Sequence, residues 1–294
     1  TELTGITPGM VADRDDFAAV GRRFLDWYGP RNKAILAAWG AYYDVPLLRK
    51  ECERFELPFH RRDGETLADA LAPFEGAAEF CLGGHPTAAF TAAELIVLSP
   101  GVPPLPALDA ARQAGVPIIG EVELGARFVE APIIGITGTN GKSTTTTLCG
   151  EMFAASGRQV FVGGNLGEPL CEAINRGAPG LSADGVCVLE LSSFQLETVE
   201  RLRCHVAMLL NLSEDHLDRY PDYEAYIEAK ARIFERQTEA DWAIVNADPE
   251  QRRCRMVGSR SDAPLVTFRS ARSRGTGAWF DEGDLCVRLP RGQV

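Results

Sequence analysis

The chain has 294 residues, 45% of them hydrophobic, which is enough for a sizeable core and about two domains by length. A formal net charge of −11 argues against a general nucleic-acid or anionic-membrane binder, because such contacts are driven by clustered Lys and Arg. Eight cysteines without a CxxC pair, no apolar run near ~18 residues and no basic-then-apolar start point to a reduced, cytoplasmic protein with neither disulfides nor a membrane segment.

From about residue 78 onward, short apolar runs alternate with helix-like segments. In chain order, strands are expected at 94–98, 116–119, 132–136, 160–162, 186–191, 206–210 and 242–245. Helices are expected near 105–114, 121–129, 142–156, 169–176, 222–235 and 249–256. This alternation predicts an α/β fold with a mostly parallel central sheet and helices on both faces. Beyond about 258 the character changes. An Arg/Ser/Gly-rich run at 269–275 separates Leu265-Val-Thr-Phe268 from two possible hairpin strands, 277–280 and 285–289, and reads as a solvated loop.

Ligands of such folds bind beyond the C-terminal ends of the strands. Four segments should therefore meet on one edge: the loop after 132–136, then Gly163-Gly-Asn-Leu-Gly167, Glu190-Leu-Ser-Ser-Phe-Gln195 and Asn211 to Tyr220. The first of these, Gly135-Ile-Thr-Gly-Thr-Asn-Gly-Lys-Ser-Thr144, sits between an apolar run and a helix-like segment and has the layout of a phosphate-cradling loop. The strict pattern wants Gly where Ile136 stands, but Gly138, Gly141, Lys142 and Ser143 keep the parts that handle phosphate. Backbone N–H groups from Gly138 through Thr139, Asn140 and Gly141 to Thr144 would face the anion. Lys142 would reach the β/γ-phosphates, and the Ser143 hydroxyl would ligate Mg²⁺. A nucleoside triphosphate, ATP by the resemblance below, is the expected ligand.

Three more residues carry candidate chemistry. Glu190 ends an apolar strand, where a buried carboxylate needs a counter-charge such as Mg²⁺. His216, within Glu214-Asp-His-Leu-Asp218, is one of four histidines and has acidic neighbours that could orient its ring or a metal-bound water. Lys230 lies on a helical segment in a chain with only four lysines (33, 50, 142 and 230) against 26 arginines. An ordinary helical ion pair and a chemically required amine are both open for it on sequence.

The motifs around 136–143, 164–167, Leu189-Glu-Leu-Ser-Ser-Phe-Gln-Leu-Glu197, 211–220 and Ala229-Lys-Ala-Arg-Ile233 resemble, in order and spacing, the Mur ligase family. Within it they are most similar to the branch that adds D-glutamate to the UDP-linked peptidoglycan precursor. The resemblance runs from about 82 to 294. It implies that residues 81–130 are the remainder of a UDP-binding domain and that 131–294 are the central ATP-binding domain. It further implies Lys142 as the phosphate lysine, Ser143 and Glu190 as ligands of the ATP-linked Mg²⁺, and His216 at a second Mg²⁺ site. Lys230 would be the family's carbamylated lysine. Gly101, in Ser99-Pro-Gly101, together with Asn165, Ser192 and Gln195, would face the nucleotide-sugar. The implied partners are UDP-N-acetylmuramoyl-L-alanine and D-glutamate, with no nucleic acid or membrane, acting on a monomer.

Both ends depart from that pattern. Residues 1–60, including Phe24-Leu-Asp-Trp27 and Leu36 to Asp44, resemble part of a DEDD-type 3′–5′ exonuclease, and 1–80 is expected to be a segment of different origin. Asp44 would match one acid of that two-metal site, while the other acids are missing from the sequence. The family would also supply adenine contacts and a closing amino-acid-binding domain after residue 294, so the resemblance predicts little or no ligation by these 294 residues. The alternatives are a non-catalytic nucleotide-binding module and a metal-dependent exonuclease.

Overall fold

The computed structural model describes residues 85–99, 102–175, 181–215, 219–271 and 276–288. The chain divides into two compact units, Thr1–His85 and Pro86–Val294. The exonuclease-like segment with Asp44 lies outside the described residues, as do Gly101 and His216.

Within the second unit the elements run α1 (Thr87–Ala92), β1 (Ile96–Leu98), α2 (Pro106–Gln113), β2 (Ile118–Gly120), α3 (Glu121–Ala126), β3 (Ile133–Thr137), α4 (Lys142–Ala155) and β4 (Val160–Gly164). There follow α5 (Glu172–Asn175), β5 (Val186–Glu190), α6 (Ser193–Leu196), β6 (Val206–Leu209), α7 (Tyr223–Ala231), β7 (Trp242–Asn246) and α8 (Arg252–Gly258). The last three are β8 (Leu265–Arg269), β9 (Gly277–Asp281) and β10 (Asp284–Arg288).

The apolar runs of β3 and β5 show no polar alternation, and both strands are buried at every position. Such runs suit strands covered on both faces of a parallel sheet. The two lie side by side within an eight-stranded sheet of order β10-β9-β8-β7-β6-β3-β5-β4. All its neighbours are parallel except the β9–β10 hairpin. β1 and β2 form a separate parallel pair, so the expected strands at 94–98 and 116–119 do not join the central sheet.

Alternate residues of the strands feed two cores, as a period of two requires. Ile133, Cys187, Leu189, Ala207, Leu209 and Val245 pack with Leu196, Tyr226, Ile227, Cys254 and Val257 on one face. Ile134, Ile136, Val186 and Val188 pack with Cys149 and Phe153 of α4 on the other. The expected helical cover on both faces is thus present.

Three elements were not expected, the first being the short helix α1. Leu265-Val-Thr-Phe268 belongs to β8, parallel to β7, and carries the sheet past the position where its pattern changed. Helix α6 has only four residues, too few to show a period, but it carries a readable start signal, the capping box Ser192-x-x-Gln195. The helix expected near 169–176 starts only at Glu172, as α5. Among the described cysteines, Cys149, Cys171, Cys187, Cys204, Cys254 and Cys286 are all free. Burial pushes the Cys187, Cys204 and Cys254 thiols up to about 12, so they behave as small apolar side chains. No helix among the described residues is long and apolar enough to cross a membrane.

Candidate active site

The chain leaves β3 for the edge strand β4, returns to β5 beside β3, and then crosses to β6 on the other side of β3. Connections from the neighbouring strands β3 and β5 therefore run in opposite directions. The crevice so opened is the topological switch point, where ligands of open α/β sheets bind.

The loop after β3 ends at Gly141, which caps α4 with φ 80°, a left-handed conformation suited to glycine. No side chain caps that helix, so the positive end of its dipole and its first amides face the loop. Lys142 Nζ donates to the Thr139 carbonyl at 3.0 Å, and Thr144 lies exposed on the first turn.

This loop is stitched to the one after β6. Asn140 N donates to Asn211 Oδ1 at 2.8 Å, and Asn211 Nδ2 donates back to the Asn140 carbonyl at 2.9 Å. The Thr139 amide donates to the Asn211 carbonyl at 3.1 Å, and Ser213 N to Thr139 Oγ1 at 3.1 Å. Asn211 marked only the start of a motif in the sequence. Its clamping role depends on contact across 71 residues and left no local signal.

Glu190, at the end of β5, is only 3% exposed. Its carboxylate accepts from Ser143 Oγ at 2.7 Å and from Asn165 Nδ2 at 2.8 Å. Two of the predicted residues, one from the start of α4 and one from the loop after β4, thus meet on the carboxylate of a third. Gly164, with φ 97°, permits this approach of β4 to β5, since a Cβ there would run into the Glu190 carbonyl.

Lys230, on α7, is 2% exposed. Its ammonium donates to the Gly138 carbonyl at 3.0 Å and to Thr137 Oγ1 at 3.4 Å, and lies 4.8 Å from the centre of the Tyr226 ring. Burial first, and then repulsion from Lys142, pull the Lys230 pKa down to about 7, while Asp215 and Glu190 oppose the shift. Tyr226 is one helical turn before Lys230, and its hydroxyl lies 3.0 Å from Thr139 Oγ1. The sequence presented Tyr226 only as an apolar position. Its spacing from Lys230 was the available clue.

The residues expected to face a nucleotide-sugar divide. Asn165 is exposed and bonded to Glu190. Ser192 Oγ accepts from Gln195 N at 3.2 Å, while Gln195 Oε1 accepts from Ser192 N at 3.0 Å, so both are engaged in capping α6. Gln195 is 3% exposed, and its Nε2 has no partner among the described residues. It also lines a cavity of about 180 Å³ bounded by Ser99 and Val102 on one side, Val122 on α3, and Phe194 and Thr198 in and after α6.

Hydroxyl and carboxylate oxygens at Ser143 and Glu190 are hard donors of the kind Mg²⁺ takes, with phosphate and water completing its shell. The described residues contain no cluster of three or more His, Cys, Asp or Glu that could hold a metal by itself.

Residues 136–280 match the Mur ligase middle domain. The chain carries a Mur ligase middle domain. Its curated relatives include the UDP-N-acetylmuramoylalanine--D-glutamate ligase of Anaeromyxobacter dehalogenans, 52% identical over 243 residues, covering 80% of this chain and 51% of that one. The same-named ligase of Trichlorobacter lovleyi is 48% identical over 229 residues, covering 77% of this chain and 50% of that one. The chain spans about half the length of these relatives. Among solved structures, the UDP-N-acetylmuramate:L-alanyl-gamma-D-glutamyl-meso-diaminopimelate ligase from Neisseria meningitides is 15% identical with a TM-score of 0.47, covering 76% of this chain and 74% of that one. The matched Mur ligase middle domain runs from the end of β3 into β9. It contains the loop after β3, Glu190 and Lys230, whereas the Ser99 and Val122 walls of the cavity precede it.

Proposed function

We propose that the chain carries the ATP site and the acyl-activating centre of a cytoplasmic ligase that joins D-glutamate to UDP-N-acetylmuramoyl-L-alanine in peptidoglycan synthesis. The observation that carries this reading is the meeting of Ser143 and Asn165 on the Glu190 carboxylate at the switch point of the sheet, with the buried Lys230 bonded to Gly138 of the same loop that leads to Ser143. The reading is supported by relatives named for that reaction.

In the proposed reaction a carboxylate oxygen of the alanine attacks the γ-phosphorus of ATP, ADP leaves and an acyl phosphate forms. The D-glutamate amine then attacks the acyl carbon and loses a proton, and the tetrahedral adduct expels phosphate. Both steps place negative charge on oxygens. The α4 N-terminus and Lys142 offset that charge on the phosphate side, acting as fixed electrostatic partners. Ser143 and Glu190, with His216 outside the described residues, would hold Mg²⁺, which when bound neutralises phosphate charge. Asn165 orients Glu190, and Gln195 Nε2 offers the cavity ligand a donor.

Lys230 fits a further role. With a pKa near 7, about half of its amines are neutral at neutral pH, against about one in a few thousand for an ordinary lysine. A neutral amine adds to CO₂ and releases a proton, giving a carbamate anion that could share in holding a cation. Arginine could not do this, which accounts for a lysine in so arginine-rich a chain.

The test is calorimetric binding of Mg·ATP and of UDP-N-acetylmuramoyl-L-alanine, with phosphate release in the presence of both and D-glutamate. Binding of both ligands, with ATP binding lost in Lys142→Ala, is expected. Phosphate release that ignores the UDP compound and D-glutamate would mark a generic NTPase and overturn the reading.

A further inference from the structure

We propose that Glu123 is a positioning residue that sets the spacing of the cavity walls on α3 and α6, and through it the affinity for the cavity's ligand. The ligand's identity as a UDP-linked sugar rests on the function proposed above. Glu123 is fully buried at 0% exposure. Its Oε2 accepts three consecutive backbone N–H groups, from Glu200 at 2.9 Å, Arg201 at 2.9 Å and Leu202 at 3.0 Å. Its Oε1 accepts from Arg127 Nε at 2.9 Å, and Arg127 also reaches Glu200 at 3.1 Å.

Three successive amides converging on one oxygen make an anion nest. Here a carboxylate from a different element fills it. Neither half is tolerable alone, since the nest would bury unpaired donors and the carboxylate an unpaired charge. The pair therefore fixes α3 against the segment that follows α6. Both attachment points adjoin the cavity: Val122 precedes Glu123, and Thr198 lies two residues before Glu200. The walls also touch directly. Gly120 N donates to the Thr198 carbonyl at 3.3 Å, and a Cβ on Gly120 would strike the Thr198 hydroxyl.

Among the described residues, Glu123 bonds to no group of the phosphate site. Ser143, Glu190 and the Asn140–Asn211 clamp are held by β3, β5 and β6 instead. Loosening the clamp should thus move α6, with its buried Gln195, relative to α3 while leaving the nucleotide loop in place.

Glu123→Ala and Glu123→Gln test this in the full chain. Glutamine keeps the shape, but its amide group opposes a donor in either orientation, facing Arg127 or the three N–H groups. Hydrogen exchange at residues 194–202 should quicken by about 10-fold or more, with 137–144 unchanged. Affinity for UDP-N-acetylmuramoyl-L-alanine should fall about 10-fold, and that for Mg·ATP should stay within about twofold. Arg127→Ala, which keeps the three amide bonds but removes the cation from the buried carboxylate, should shift exchange and UDP-ligand affinity in the same direction by less than Glu123→Ala does. If the alanine variant does not fold, the glutamine variant decides. Unchanged exchange at 194–202, faster exchange with undiminished UDP-ligand affinity, or equal loss of both affinities overturns the proposal. If the wild type binds no UDP compound, the functional reading fails and the exchange measurement alone decides on the clamp.

Discussion

Lys230 shows how far one side chain's chemistry is set by its surroundings. Its ammonium is buried beside Lys142, so charge is disfavoured and the pKa falls from 10.5 to about 7. A lysine depressed in this way gives its full stability only above the unfolded pKa, and that contribution is lost as pH falls toward 7. At neutral pH its burial costs stability. Lys230→Met should therefore raise the melting midpoint by a few degrees, in line with the gain of about 1–4 kcal/mol seen when buried ionic groups give way to apolar ones. Any phosphate release that depends on the UDP compound should be lost in the same variant. Equilibration with ¹³C-bicarbonate should give the wild type a carbamate resonance that grows between pH 6 and 8, and Lys230→Arg should show none. Glu190→Gln would keep the volume and lose the charge. We expect Mg·ATP affinity to fall by about 10- to 100-fold in calorimetry, the range for lost hydrogen bonds to charged groups, while metal-free nucleotide binding changes less. Sequence made Lys142, Ser143, Glu190 and Lys230 legible because each sits in a short local pattern or is conspicuous by rarity. Tyr226 was not legible as a polar partner, because its neighbour Thr139 is 87 residues away.

At the scale of elements, strands with continuous apolar runs were readable, and so was the rule that the loops after them converge. What escaped was whatever depends on pairing between distant segments. β8 looked like a tail because its pattern is half-buried throughout and its partner β7 lies some 20 residues earlier in the chain. The separate β1–β2 pair could not be distinguished from the main sheet, since sheet membership leaves no trace in alternation. The clamp between the two loops is a further case. Asn211 mimics a peptide group, giving one bond to each side of the Asn140 backbone. Each is worth about 0.5–1.5 kcal/mol, so Asn211→Ala should weaken Mg·ATP binding by about 10-fold. Asn211→Asp keeps the acceptor for Asn140 N but loses the donor, and it sets a negative charge near the phosphates. It should bind ATP less well than the alanine variant. Equal affinities for wild type and Asn211→Ala would show that the loop holds its shape without the clamp.

Across the described residues, acid sensitivity follows from two buried carboxylates with lowered pKa values that tie remote segments together. Besides Glu123, Asp241 is 1% exposed and accepts from Arg203 Nε at 2.8 Å, Arg203 Nη2 at 2.9 Å and Thr238 N at 2.7 Å. Burial alone would raise both pKa values, but for Glu123 the backbone N–H groups and Arg127, and for Asp241 the Arg203 guanidinium and Thr238, outweigh it and lower them. A carboxylate depressed in this way contributes stability that is complete above its unfolded pKa. That contribution drains away as pH falls through the folded one. The ordinary values are 4.5 for Glu and 3.8 for Asp, so melting should be flat with respect to these groups near neutrality and decline below about pH 5. Asp241→Asn should lower the midpoint by several degrees at pH 7 and make the acid decline shallower, because one of the two titrating links has been removed. A variant whose melting curve falls in parallel with the wild type from pH 7 to pH 4 would assign acid unfolding to other carboxylates.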